Sequence, residues 1–189
     1  MGFVRRKSED DCWMFILLLT TLTILIESLK SYTFDIFDIS LSFAIFLLPF
    51  VYFLVDYITK KYDYKKGIAA IAISAVMFVS FSAIMSFALG ETFLISSVSG
   101  EFCGYVVSQF IHLSITLFLI NHTKYPTWLV YINYLFSLII YHLFYTLIYL
   151  NMIILESYWI EYFMTLGIQA LVCVFTVFFD HFIRREIEE

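Results

Sequence analysis

Apolar residues gather along this chain in six long runs, 13–29, 39–59, 68–89, 100–121, 127–150 and 159–183, with short polar connections between them. Each run holds about 17 to 25 mainly apolar residues, enough as an α-helix to cross roughly 30 Å of hydrocarbon. No repeat, low-complexity linker or strand pattern competes with helices at this hydrophobicity. The expected fold is all-α: a polytopic membrane protein with six transmembrane helices in one compact bundle, forming a single integral membrane domain over residues 1–189. Short connections make consecutive helices antiparallel neighbours.

The polar connections set an orientation. Arg5, Arg6, Lys7, Lys60, Lys61, Lys65, Lys66, Lys124, Arg184 and Arg185 fall at the two termini and in the second and fourth connections, and of the 11 basic residues only Lys30 falls on the opposite side. Basic residues concentrate on the cytoplasmic side of spanning helices, so both termini are expected there, in a multi-pass protein of the cytoplasmic (inner) membrane. The opposite connections carry Asp35, Asp38, Glu91 and Glu156. Such an acidic face attracts cationic solutes, although the plain absence of lysine accounts for it as well. Arg5, Arg6 and Lys7 ahead of an apolar run resemble a signal peptide, but acidic residues intervene and no small-residue cleavage site follows. The run is expected to remain as the first span.

Composition agrees with this picture and narrows it. The chain is 62% hydrophobic and 21% aromatic with a mean hydropathy of +0.90, more apolar surface than a soluble domain of 189 residues uses. Its net charge of -5 is spread over short runs and gives no reason to expect a nucleic-acid partner. Cys12, Cys103 and Cys173 are scattered and read as small apolar residues rather than disulfide or metal ligands. Trp13, Trp128 and Trp159 stand at span ends as interfacial anchors. In the third run Ala69, Ala70, Ala72, Ser74, Ala75 and Ser82, continuing toward Gly90, suit close helix packing.

The stretch 47–67 collects the most signals. Pro49 lies within an apolar run, Asp56 follows seven residues later, and Lys60, Lys61, Lys65 and Lys66 come next. A proline inside a spanning helix removes a backbone hydrogen bond and bends it, and an intramembrane carboxylate is costly unless it faces the bundle interior. The expectation is a bent helix with one polar point. Asp56 either serves a site there, or simply reaches the interface or pairs with a loop lysine.

The fourth run is the next most informative. Gly100, Gly104 and Ser108 form a small-residue stripe, and Tyr105, Gln109 and His112 form a polar stripe on an adjacent face. Gln109 and His112 lie mid-span, where an amide or imidazole needs a partner, so they either join helices together or contact a ligand. Further polar points are Asn133, Tyr141 and His142 on the fifth run and Gln169 beside Gly167 on the sixth, while Glu27, Glu101 and Glu161 near span ends read as solvated faces. Uncharged hydrogen-bonding groups with one or two titratable ones suit a planar polar solute, on which Tyr52 and Tyr105 stack. No paired carboxylates with metal-ligand histidines, nucleophile elbow or phosphate-cradling glycine loop is present, so neither an enzyme nor a metal or cofactor protein is expected.

At these residues the chain resembles the vitamin uptake transporter family, also called the queuosine precursor transporter family. One signature of that family, a proline-containing apolar run leading to Asp, Thr, an aromatic and a basic cluster, is met by Leu48, Pro49, Phe50, Asp56, Thr59, Tyr62, Lys65 and Lys66. A second is met by Gly104, Tyr105, Ser108 and Gln109, and the resemblance extends loosely over all six runs. The chain departs from the pattern at Lys60, Asp63, His112, Tyr141 or His142, and Gln169, keeping polar positions while changing their charges. The resemblance implies import of a small nucleobase-like or vitamin-like solute, a 7-deazaguanine precursor of queuosine. The expected mechanism is alternating access about a midplane site, with Asp56, Tyr105, Gln109, His112, Tyr141 and Gln169 as substrate contacts and Asp56 or His112 as carrier of a coupled proton. Two alternatives stay open: the substrate-binding subunit of an energy-coupling-factor importer, which works with energising partner subunits, and a non-transporting six-span scaffold. A homodimer is compatible with each.

Overall fold

The computed structural model describes residues 2–88, 95–121, 126–149 and 156–188. Of the positions singled out above, Leu89, Gly90, Glu91, Lys124 and Leu150 lie outside the described residues, as do the side chains of Arg5, Arg6, Lys7, Glu156, Arg184 and Arg185. The element order is α1 (Gly2–Leu29), β1 (Thr33–Ile36), β2 (Ile39–Ser42), a 3-10 turn (Phe43–Phe46), α2 (Leu48–Lys61), α3 (Tyr64–Ala88), α4 (Ile95–Ile120), α5 (Thr127–Tyr149) and α6 (Glu156–Glu188). Six helical stretches of 19 to 22 residues are long and apolar enough to cross a membrane, which makes the chain a multi-pass membrane protein. Leu17, Val76, Ile84, Phe118, Phe163 and Phe175 point away from the bundle, as lipid-facing side chains must. Trp13, Trp128 and Trp159 are also exposed, at the span ends where indole rings favour the headgroup layer.

Helix α2 is the centre of the bundle and packs against each of the other five helices. Its span, Phe43–Lys61, is 61% buried, against 28% to 44% for the others, so a polar side chain on α2 meets protein where one on its neighbours can meet lipid. Consecutive helices are neighbours throughout, with α1 also against α3 and α6 against α2. The small residues act at two contacts. Ala70, Ser74, Ala75 and Ser82 of α3 are buried, and a Cβ added at Gly104 of α4 would lie 2.8 Å from the backbone oxygen of Tyr141 on α5. That approach explains why α4 and α5 form the most extensive helix pair.

Two expectations about the second span are corrected. Pro49 does not bend a helix: it stands in the first turn of α2, where the missing N–H would have no intrahelical partner. The span also does not begin at residue 39, because Ile39–Ser42 is a strand of a two-stranded antiparallel hairpin pairing Phe34 with Leu41 and Ile36 with Ile39. Phe37 and Asp38 form its two-residue turn with φ of 50° and 63°, the positive values a type I′ turn requires at both positions. Ser42 then caps the 3-10 turn, its hydroxyl accepting from the Ala44 N–H. Helix α2 ends at Lys61 with Lys60 and Lys61 in its last turn, where positive charge complements the free carbonyls.

Candidate functional site

Residues four apart on a helix share a face, and on α2 that face carries Leu48, Tyr52, Asp56 and Lys60 in successive turns. The polar groups of the bundle lie in layers along it. In the layer nearest the lysine-rich end, Asp56 Oδ2 is 3.2 Å from Lys60 Nζ, while Oδ1 accepts a hydrogen bond from the Thr116 hydroxyl and lies 3.0 Å from His112 Nε2. Asp56 is 1% exposed and His112 not at all, so Asp56 does not reach the interface, while its expected pairing with a lysine is found, with Lys60, inside the bundle.

The Ser137 hydroxyl donates to the Asn133 carbonyl at 2.7 Å and lies 3.2 Å from His112 Nδ1. Nε2 on the other side of the ring faces the Asp56 carboxylate. Asn133 Nδ2 donates to Thr116 Oγ1 at 3.0 Å, tying α5 to the same group. One turn further along α2, the Tyr52 hydroxyl donates to Ser108 Oγ at 2.8 Å, and its ring meets His112 edge-on with centroids 5.0 Å apart.

At the end of the bundle opposite the α2–α3 connection lies a cavity of about 240 Å³. The 3-10 turn and the strand before it border the cavity through Ser42, Ala44 and Ile45, and Leu48 begins the face of α2 that continues to Tyr52 and Asp56. Tyr141, His142 and Tyr145 enter it from α5, and Glu161, Tyr162, Thr165 and Gln169 from α6. His142 Nε2 and Gln169 Oε1 are 2.8 Å apart, and Tyr141 and Tyr162 both meet the imidazole edge-on. Lys30 and Glu101 complete the wall and form an ion pair, with Glu27 on the other side of Lys30. Glu101 is therefore no solvated face: it is 7% exposed and salt-bridged.

The residues expected to form one midplane site thus occupy distinct places. Tyr141 and Gln169 line the cavity. Asp56 and His112 meet in the deeper layer. The Tyr105 hydroxyl is 2.6 Å from Ser74 Oγ and ties α4 to α3. Gln109 is fully buried, with neither its amide oxygen nor its amide nitrogen hydrogen-bonded. Sequence reasoning missed Ser137, Thr116, Tyr145, Tyr162 and Thr165, whose spacing repeats that of residues already singled out: Asn133, Ser137 and Tyr141 recur every four residues on α5, as His112 and Thr116 do on α4. Comparison of the chain with protein-family models, curated proteins and solved structures finds no match.

Proposed function

We propose that this chain is a carrier that moves a small planar polar solute across the cytoplasmic membrane by alternating access, with its lysine-rich end in the cytoplasm. The observation that carries the reading is the cavity at one end of the bundle, walled by Tyr141, His142, Thr165 and Gln169, with the buried layers of Tyr52 and Asp56 beyond it along α2. A cavity with a few convergent polar groups among rings is the form that small-molecule sites take. Under the positive-inside rule it opens outward, and the layers between it and the cytoplasm act as the closed gate.

In this reading Tyr141 and Gln169 hold the solute first, and the groups along α2 and α4 receive it when the bundle rearranges. Gln109, with its amide unbonded here, is suited to that second position, and the Asp56–His112 pair to carrying a coupled proton. The resemblance of Leu48–Lys66 and Gly104–Gln109 to the queuosine precursor transporters adds the 7-deazaguanines as the first solutes to try. The test is thermal stabilisation of the detergent-purified chain by a panel of deazaguanines, purines and vitamins, since a ligand that binds only the folded state raises its apparent stability. A shift that is lost in Gln169→Ala supports the reading. A shift that survives both Gln169→Ala and Tyr141→Ala removes the cavity as the site.

A further inference from the structure

The walls of the cavity carry information about the charge of what enters it. We infer that its ligand is an organic cation, a planar ring system bearing an ammonium, amidinium or comparable group, and this inference rests on the carrier reading above. Four aromatic side chains line the cavity: Tyr141, His142, Tyr145 and Tyr162. Their arrangement is held by edge-on contacts of Tyr141 and Tyr162 with His142, at centroid distances of 5.2 and 5.9 Å, and by the bond from His142 to Gln169. Aromatic faces attract cations through their quadrupole, most strongly where water is excluded.

Charge in the wall points the same way. Lys30 is the basic residue that lines the cavity, and it is already engaged: it pairs with Glu27 and Glu101, and its ammonium stands 5.0 Å over the ring of Phe78. Glu27 is fixed in turn by the Ser82 hydroxyl, which donates to it at 2.8 Å. Glu161 also lines the cavity, on the spanning part of α6, and among the described residues it forms no ion pair. The wall thus carries two carboxylates, Glu101 and Glu161, against the single ammonium of Lys30, which Glu27 also pairs. An anion entering this space meets a surplus of its own sign, whereas a cation pairs with Glu161. An ionisable residue on a spanning segment that faces a cavity, and is not used to hold helices together, is placed for a ligand.

Three soluble probes of the same planar shape separate charge from shape: benzamidine, which is cationic at neutral pH, benzamide, which is neutral, and benzoate, which is anionic. Their binding to the full chain in detergent is measured by calorimetry, for the natural sequence and for Glu161→Gln. Glu161 is exposed, so the substitution leaves the packing of the bundle intact. The expected result is benzamidine binding about tenfold tighter than benzamide, no binding of benzoate, and loss of that preference in Glu161→Gln with benzamide unchanged. Equal binding of benzamidine and benzamide, tighter binding of benzoate, a preference that survives Glu161→Gln, or no binding of any probe overturns the inference. Failure of the carrier reading has a different signature. A neutral deazaguanine whose stabilisation depends on Gln169 but not on Glu161 keeps the site and removes the cation, whereas stabilisation independent of Gln169 removes the site itself.

Discussion

Asp56 Oδ1 lies 3.0 Å from His112 Nε2, joining the central helix α2 to α4 by two side chains that no solvent reaches. Nδ1 of the same ring lies 3.2 Å from the Ser137 hydroxyl, whose own proton goes to the Asn133 carbonyl, so the contact also couples α5. Lys60 supplies positive charge on the other carboxylate oxygen. A buried carboxylate held in this way is strongly destabilising to remove, since its partners are then left charged or unbonded in a low-dielectric interior.

Asp56→Ala is therefore expected to lower stability by about 3 to 5 kcal/mol, read as a fall in the unfolding midpoint of the purified chain. Asp56→Asn keeps the volume and removes the titratable group. In that variant uptake should lose its dependence on pH, and uptake that stays equally pH-dependent would take the coupled proton away from Asp56.

Gln109 gives a prediction of opposite sign. A buried amide with neither atom bonded carries a desolvation penalty, and replacing it with an apolar side chain of similar size removes about 1 to 3 kcal/mol of that cost. Gln109→Leu should thus unfold at a higher temperature than the natural chain while transporting less. A variant that is both more stable and fully active would make Gln109 dispensable to transport.

The two mid-helix glycines separate packing from propensity. At Gly104 a methyl group would press on the Tyr141 carbonyl at 2.8 Å, so Gly104→Ala must displace α4 from α5 and lower the unfolding midpoint. At Gly167 nothing lies within 4 Å of the added atom, and Gly167→Ala should stabilise α6 by roughly 0.5 to 1 kcal/mol. Thermal unfolding of the two variants side by side checks both signs.

These contacts also show what could be read before the structure. Six spans and a polar point inside the bundle at Asp56 follow from apolar runs and a misplaced carboxylate, both local signals. The hairpin was harder, although Phe34, Ile36, Ile39 and Leu41 alternate with polar residues. Its turn is Phe37–Asp38 rather than the Asn-Gly or Asp-Gly that usually marks such a connection, and a bulky residue at positive φ is held there by the pairing on either side. Pro49 reads as a mid-span bend for the same reason, because nothing in the apolar letters of 39–48 separates a strand and a 3-10 turn from one continuous span. The candidate site was legible only residue by residue. Tyr141, Gln169, Asp56 and His112 each stand out as polar in an apolar run, but which of them meet depends on the rotation of α4, α5 and α6 about α2, and single-helix periodicity does not carry that rotation. The pairing of Lys30 with Glu101 had no local signal, since the two are 71 positions apart, whereas Glu27 stands one helical turn away.

The most direct test of the carrier reading is accumulation of a stabilising heterocycle inside proteoliposomes that contain this chain alone. The reading predicts a time-dependent rise of solute in the lumen that is abolished by Gln169→Ala and reduced in Gln109→Leu. Tight binding with no accumulation under any imposed pH gradient would contradict it, and would instead assign the chain to a binding subunit that needs energising partners.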